Sequence, residues 1–234
     1  MKKFTMVVAA ALVGFLLSCQ TAQVKTDSPN MPSNAYLDGG TSTVGVILCH
    51  GRAQHPTWKV VDPLRKGIHG QLGYHTLSLQ MPVGGSDWRS YKKFFPEAYQ
   101  RIDAALEFLR NEKGVKTIYL MGHSMGSRMA TGYLSEKPEA NISGFIGVGV
   151  RIGGDVPLNS LRNLKIALKK SPGLQVADVY GDGGDGVDAK QAQKRSSLVS
   201  DRYQQILIPG ADHQFDSGEK QMVDAVVNWL KAQK

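Results

Sequence analysis

A serine between two glycines is the residue of this 234-residue chain whose surroundings most clearly indicate chemistry. An apolar, β-branched run over residues 117–121 leads into Gly-His-Ser-Met-Gly (residues 122–126), and residues compatible with a helix follow. A sharp turn from a strand into a helix lifts a serine Oγ clear of the sheet. Glycines beside it avoid collisions, and the first N–H groups of the helix favour negative charge there. The pattern predicts that Ser124 is a nucleophile.

Strand and helix signals alternate from residue 44 to the end of the chain. Apolar strands are predicted near 44–49, 74–79, 116–121, 142–150, 175–180 and 205–208, and amphipathic helices near 97–113 and 219–231. This alternation is typical of an α/β fold with a doubly wound, mainly parallel sheet and helices on both faces. Residues 41–234 show no repeat or linker, so we expect one domain.

Reactive side chains follow four of the predicted strands: His50, Ser124, the pair Asp182 and Asp185, and His213. In doubly wound folds, ligands bind at the edge of the sheet where the strands end. A serine hydroxyl needs a base to remove its proton, and a carboxylate must hold the other ring nitrogen of that base. Serine, aspartate and histidine occur in this order along the chain.

This order, together with four short motifs, resembles the α/β-hydrolase superfamily. The resemblance extends from about residue 44 to residue 234 and rests on His50-Gly51 and on residues 122–126, 181–185 and 210–213. It implies a serine hydrolase of the carboxylesterase type, with Ser124 as nucleophile and His213 as base, that requires neither a metal nor an organic cofactor. The backbone N–H groups of Met125 and Arg52 are the implied oxyanion-hole donors.

The acid of the implied triad has three candidates. In the family the carboxylate usually lies three residues after a glycine that ends its strand, whereas Asp185 is four residues after Gly181 and Asp182 is one after. A glycine-rich turn absorbs one extra residue, so Asp185 is the first choice and Asp182 the second. Asp155, after the preceding strand, is the third, because some family members place the acid there. The unused aspartates then serve to form turns.

Little of the chain is left to cover such a site. Residues 150–174 have room for one short amphipathic helix, so the sequence predicts a minimal lid. The segment 81–91 follows a strand at the predicted active-site edge. Its Trp88 is either part of a substrate pocket or a packing residue.

The N-terminus has the pattern of an export signal. Residues 1–18 combine two lysines with an apolar run that is shorter than the roughly 20 residues of a membrane span. Leu-Leu-Ser-Cys (residues 16–19) resembles the lipobox of bacterial lipoproteins, which implies lipidation of Cys19 and a membrane anchor. The alternative is an ordinary signal peptide with an incidental Cys19. Residues 19–40 are polar and are predicted to form a flexible tether.

Localisation and partners follow from this N-terminus and from the charge. The residue after the cysteine is Gln20 rather than aspartate, which resembles the sorting pattern of bacterial lipoproteins of the outer membrane and implies that membrane, facing the periplasm, over the inner one. The formal charge of +8 fits a solvated basic surface. Zinc-ligand spacing and helix-turn-helix patterns are absent from the sequence, so nucleic acid is not an expected partner.

The sequence therefore predicts an envelope-anchored serine hydrolase that cleaves an ester or thioester through an acyl-enzyme. The substrate would be a small-molecule or lipid-like ester. An amidase or peptidase would use the same triad, because fold and motif do not separate these activities. A non-catalytic lipoprotein that keeps the fold as a binding or assembly module is the alternative from another class, and the complete Ser-Asp-His set argues against it.

Overall fold

A computed structural model describes residues 34–233. Seven strands are present in this part of the chain: β1 (Ala35–Leu37), β2 (Val44–Cys49), β3 (His75–Leu79), β4 (Thr117–His123), β5 (Gly144–Val148), β6 (Gln175–Gly181) and β7 (Tyr203–Ile208). The α-helices are α1 (Val61–Leu72), α2 (Phe95–Glu107), α3 (Met125–Glu136), α4 (Ser160–Lys170), α5 (Val187–Arg195) and α6 (Glu219–Lys231). The predicted signal peptide, Cys19 and most of the predicted tether lie outside the described residues.

The strands form one sheet in the order β1-β3-β2-β4-β5-β6-β7. The edge strand β1 is antiparallel to β3, and all other neighbours are parallel. In the centre of the sheet, Ile47 of β2 lies between Leu77 of β3 and Leu120 of β4. The sheet is mainly parallel and doubly wound, as predicted, and its parallel strands end at a common edge.

Helices cover both faces of the sheet, which explains why the central strands are continuously apolar. Successive residues of β2 point to opposite faces, so Val46 and Leu48 belong to one hydrophobic core and Ile47 and Cys49 to the other. The first core contains side chains of α1 and α6, and the second those of α2, α3 and α4. Cys49 is a fully buried free thiol, and burial raises its pKa well above the usual range.

The segment between β5 and β6 contains one α-helix, α4. Leu164 and Ala167 on one side of this helix are buried, while Lys165 and Lys169 are not. The short amphipathic helix and the minimal lid predicted from the sequence are therefore confirmed. Within residues 34–233, no helix has the length and apolar character needed to cross a membrane.

Strand β1 corrects the predicted boundary of the tether. Residues 35–37 lie inside the segment 19–40, yet they pair with β3 in register, with Tyr36 opposite Leu77. The Tyr36 hydroxyl also lies 2.7 Å from Nδ1 of His75. The domain begins before residue 41, because pairing with a neighbouring strand and side-chain contacts order a segment that is too short to have a periodic pattern of its own.

Candidate active site

Ser124 occupies the turn between β4 and α3. Its backbone has φ 52° and ψ −112°, a conformation that costs free energy for any residue with a Cβ. The Ser124 N–H donates to the carbonyl of Val148 at 3.3 Å, which ties the turn to β5. The side chain is partly exposed. The sharp strand-to-helix turn expected from the sequence is present, and it places the hydroxyl at the edge where the strands end.

The two glycines of the motif leave no room for a side chain. A Cβ at Gly122 would lie 2.6 Å from the Cα of Ser127. A Cβ at Gly126 would lie 2.1 Å from the carbonyl oxygen of Cys49. Real Cβ atoms do not approach backbone this closely, so the tight turn requires glycine at both positions.

His213 lies in the loop after β7 and connects Ser124 to a carboxylate. Its Nε2 is 3.0 Å from Oγ of Ser124, and its Nδ1 is 2.7 Å from Oδ2 of Asp188. An ionised carboxylate only accepts hydrogen bonds, so Nδ1 carries the proton and Nε2 is free to accept one from the serine. Ser124 and His213, both predicted from the sequence, are thus within hydrogen-bond distance of each other.

The carboxylate on His213 differs from all three that the sequence indicated. Asp185 Oδ1 accepts from the N–H of Val187 at 3.0 Å, and Asp182 Oδ1 accepts from the N–H of Gly210 at 2.6 Å. Asp155 is exposed in the loop that follows β5. The prediction that one of these residues contacts His213 is wrong. Residues 182–186 form a long turn, and the next helix, α5, presents Asp188 from its first turn.

Asp188 is almost fully buried beside the guanidinium of Arg151 and the imidazole of His213. Its side chain is 5 % exposed, and Nη2 of Arg151 lies 3.3 Å from its Oδ1. Burial by itself would raise the pKa of Asp188, but the hydrogen bond and electrostatic interaction with His213 and the charge of Arg151 outweigh it and lower the pKa below its usual range. Asp188 is therefore ionised at neutral pH, as the partner of a catalytic histidine must be.

A buried ion pair anchors the far end of α5. Arg195, the last residue of the helix, donates from Nε and Nη2 to the two carboxylate oxygens of Asp178 at 2.9 and 2.7 Å. It also donates to the carbonyl of Val150 at 2.8 Å. The side chains of Tyr203 and Gln205 donate to the same Asp178. This network joins α5 to β6, to β7 and to the end of β5, and so positions Asp188.

Gly149, the residue after β5, lies against the imidazole. A Cβ at this position would be 2.9 Å from both Cε1 and Nδ1 of His213 and 3.1 Å from Oδ2 of Asp188. Its φ of 56° is also one that favours glycine. Gly149 thus makes room for the contact between the histidine and the carboxylate.

Two further histidines, His50 and His123, brace the loops of the site. Nε2 of His50 accepts from the N–H of Met81 at 2.9 Å, so its protonated Nδ1 donates to the carbonyl of Gly51 at 2.8 Å. Nε2 of His123 lies 3.0 Å from the carbonyl of His213 and donates to it. Burial lowers the pKa of His50 to about 4 and that of His123 to about 3, so both rings are neutral at neutral pH.

A cavity of about 490 Å³ opens beside the serine, within the size range of small-molecule sites. Met125 and Arg52, the predicted oxyanion-hole residues, both line it, and so does Trp88. The other lining residues are Gln54, Ser124, Arg128, Arg151, Ile152, Gln191, His213 and Gln214. Among residues 34–233, no group of three or more His, Cys, Asp or Glu side chains is arranged to hold a metal ion.

The sheet, the turn at Ser124 and the minimal lid define an α/β-hydrolase fold. Residues 85–232 match the family described as "Protein of unknown function (DUF3530)", and the chain belongs to this family. No curated protein matches the chain.

Several solved structures share the fold. Est1E from Butyrivibrio proteoclasticus, solved with bound ferulic acid, is 16% identical with a TM-score of 0.65, covering 86% of this chain and 94% of that one. An α/β serine hydrolase homologue from Coxiella burnetii is 17% identical with a TM-score of 0.64 (89% and 100% covered). XC6422 from Xanthomonas campestris, described as an α/β serine hydrolase without a lid, is 15% identical with a TM-score of 0.66 (93% and 97%).

Proposed function

We propose that the protein is a serine hydrolase that cleaves an ester or thioester through an acyl-enzyme intermediate. The observation that carries the proposal is the continuous hydrogen-bonded series from Ser124 through His213 to Asp188. It lies at the carboxyl edge of the sheet and opens into a cavity of small-molecule size. Similar structures described as α/β serine hydrolases support the same class of reaction.

In the proposed reaction, Nε2 of His213 accepts the hydroxyl proton while Oγ of Ser124 attacks the substrate carbonyl carbon. Asp188 stabilises the imidazolium that forms and keeps the ring oriented. The backbone N–H groups of Met125 and Arg52 donate to the developing oxyanion. Nε2 then returns the proton to the leaving alcohol or thiol, the C–O or C–S bond breaks, and an acyl-serine remains. In the second half-reaction Nε2 of His213 accepts a proton from water, whose oxygen attacks the acyl carbon. The bond to Oγ of Ser124 then breaks, the acid leaves, and the proton returns to Oγ.

We further propose that this domain is anchored in the bacterial cell envelope through a lipid on Cys19, with the outer membrane, facing the periplasm, as the site. The support is the sequence of residues 1–20 alone. The Cys19→Ala variant would then lose metabolic labelling with a fatty acid and would no longer partition into the detergent phase. Equal labelling of the variant and the wild type would contradict the anchor.

A fluorophosphonate probe tests the catalytic proposal, because it reacts covalently with an activated serine. The wild type and the Ser197→Ala control, which changes an exposed serine outside the cavity, should be labelled, whereas Ser124→Ala should not. An unlabelled wild type that also leaves 4-nitrophenyl butyrate intact would favour the non-catalytic binding module. Comparable turnover of 4-nitrophenyl butyrate and the matching 4-nitroanilide would favour the amidase.

A further inference from the structure

The polar lining of the cavity is strongly cationic. Arg52, Arg128 and Arg151 all contribute to it. Apart from Ser124 and His213, the remaining polar side chains are the glutamines Gln54, Gln191 and Gln214, and no Asp or Glu of residues 34–233 is part of the lining. A cleft lined by charges of one sign concentrates ligands of the opposite sign.

Arg128 is the most unusual of these arginines, because it is 5 % exposed and forms no ion pair with a carboxylate of the described chain. Its guanidinium donates to the carbonyls of Ile152, Gly153 and Leu158. These hydrogen bonds use three of the five N–H groups of an arginine. A buried cation without an anion is destabilising, and two N–H groups of Arg128, which lines the cavity, have no hydrogen-bond partner among the described residues.

Trp88 holds this guanidinium in place. The Cζ of Arg128 lies 4.7 Å from the centre of the indole ring. The ring in turn packs closely against Gly154, where a Cβ would lie 2.8 Å from it. Since its orientation is fixed before any ligand binds, Arg128 would bind an anion with little loss of side-chain entropy.

One buried carboxylate, Asp188, offsets only part of the positive charge of the lining. Asp188 pairs with Arg151, but the same carboxylate is also the partner of His213. Burial and the neighbouring charge of Arg151 lower the pKa of Arg128 to about 10, so the guanidinium remains cationic at neutral pH. The lining therefore carries an excess of positive charge directly beside Ser124.

We propose that the substrate of this site carries an anionic group, a carboxylate or a phosphate, on its acyl or leaving group, and that Arg128 and Arg151 bind it. The inference rests on the proposed hydrolase activity and adds a substrate class to it. Guanidinium groups bind carboxylates and phosphates through paired, charge-assisted hydrogen bonds. The competing explanation is that Arg128 only braces the loop of residues 152–158.

Matched esters test the proposal on both sides of the scissile bond. On the acyl side, 4-nitrophenyl hydrogen glutarate is compared with its neutral methyl ester. On the leaving-group side, the butyrate ester of 4-hydroxybenzoate is compared with that of 4-hydroxybenzamide. We expect the wild type to prefer the anionic member of one pair by about tenfold or more in kcat/KM, and less at high salt. Equal kcat/KM values in both pairs, or preference for the neutral esters, would overturn the proposal.

Variants separate anion binding from bracing. Arg128→Gln should lower the anionic-to-neutral ratio about tenfold, Arg128→Lys should retain part of it, and the control Arg162→Gln on α4 should leave it unchanged. A loss that is equal for the charged and neutral esters would indicate bracing alone and contradict the proposal. Should Arg128→Gln fail to fold, Arg151→Gln gives the same test. Losing the ion pair between Arg151 and Asp188 would lower kcat/KM for the charged and the neutral ester alike, so the anionic-to-neutral ratio still reports anion binding.

A binding measurement keeps the anion site distinguishable from the hydrolase activity. Ser124→Ala removes the nucleophile and leaves the arginines in place, so calorimetry should detect glutarate or inorganic phosphate, but not neutral glutaramide. The anion that binds more tightly indicates whether the anionic group of the substrate is a carboxylate or a phosphate. Binding of an anion without hydrolysis of any ester would uphold the site and reject the proposed activity. Hydrolysis without anion preference or anion binding would uphold the hydrolase activity and reject the anion site.

Discussion

Asp188 and His213 are joined by a 2.7 Å hydrogen bond although they belong to different elements. The carboxylate is carried by the first turn of α5, and the imidazole by the loop after β7. Because Nδ1 donates to the buried carboxylate, Nε2 accepts the proton of the Ser124 hydroxyl. The orientation of the proposed base therefore depends on where α5 begins.

Replacing Asp188 by asparagine should lower kcat by about 10³–10⁴-fold, since the corresponding change in another triad cost about 10⁴-fold. The amide stabilises imidazolium poorly and favours the wrong tautomer. Asp185→Asn is the matched control, because Asp185 lies three residues away and only accepts a hydrogen bond within its own turn. Its kcat on a neutral ester should remain within a few-fold of the wild type. The opposite ranking of the two variants would assign the acid to Asp185.

The fold, Ser124 and His213 were predictable because each is marked by its immediate neighbours in sequence. The alternation of apolar strands and amphipathic helices specifies the sheet, since strands covered on both faces must be apolar throughout. Ser124 lies between a strand and a helix with glycines on both sides, and His213 follows the last strand. Local pattern and tertiary position agree at these residues.

Asp188 was not predictable in the same way, because its role depends on the length of a turn. Three aspartates follow β6, and the distance from Gly181 alone favours Asp185 over Asp188. The overlooked signal was α5, a polar helix whose first turn begins just after Gly186. Strand β1 was not predictable for a related reason. Its three residues are ordered by pairing with β3, and so short a segment has no strand pattern of its own in the sequence.

The backbone of Ser124 predicts that two inactive variants differ in stability. At φ 52° and ψ −112° any side chain is strained by about 1–3 kcal/mol, whereas glycine is not. Glycine also gives the unfolded chain more conformational entropy, which destabilises the folded state by about 0.4–1 kcal/mol. The relief of strain outweighs this loss, so Ser124→Gly should be more stable than Ser124→Ala by about 1 kcal/mol. For a domain of this size that is a difference of about 2–4 °C in Tm. Thermal unfolding of the two variants measures it, and a lower Tm for Ser124→Gly would show that the turn is not strained.

The Gly149→Ala variant should lose more activity than its loss of stability explains. The new Cβ would press on His213 and on Asp188, moving the imidazole relative to Ser124, so we expect kcat to fall by about 10²-fold, the size of effect that a misplacement of about 1 Å can have. Gly73→Ala is the control, because Gly73 also has a positive φ but open space around it, far along the chain at the end of α1. Both variants should be destabilised, and only Gly149→Ala should lose activity in fully folded samples. Equal activity of the two would show that the imidazole tolerates the added group.

The buried histidines predict that stability falls in mild acid. Histidines in the unfolded chain take up protons below about pH 6.5, whereas burial keeps His50 neutral to about pH 4 and His123 to about pH 3. The unfolded state then binds more protons, so the free energy of unfolding decreases as the pH falls from about 6.5 towards 4, by up to about 1.4 kcal/mol per pH unit for each histidine. Urea unfolding at pH 7, 6 and 5 measures the slope, and the Cε1 resonances of both rings should not titrate in that range. A constant free energy of unfolding, or resonances of both rings that titrate near pH 6.5, would contradict the burial of these side chains.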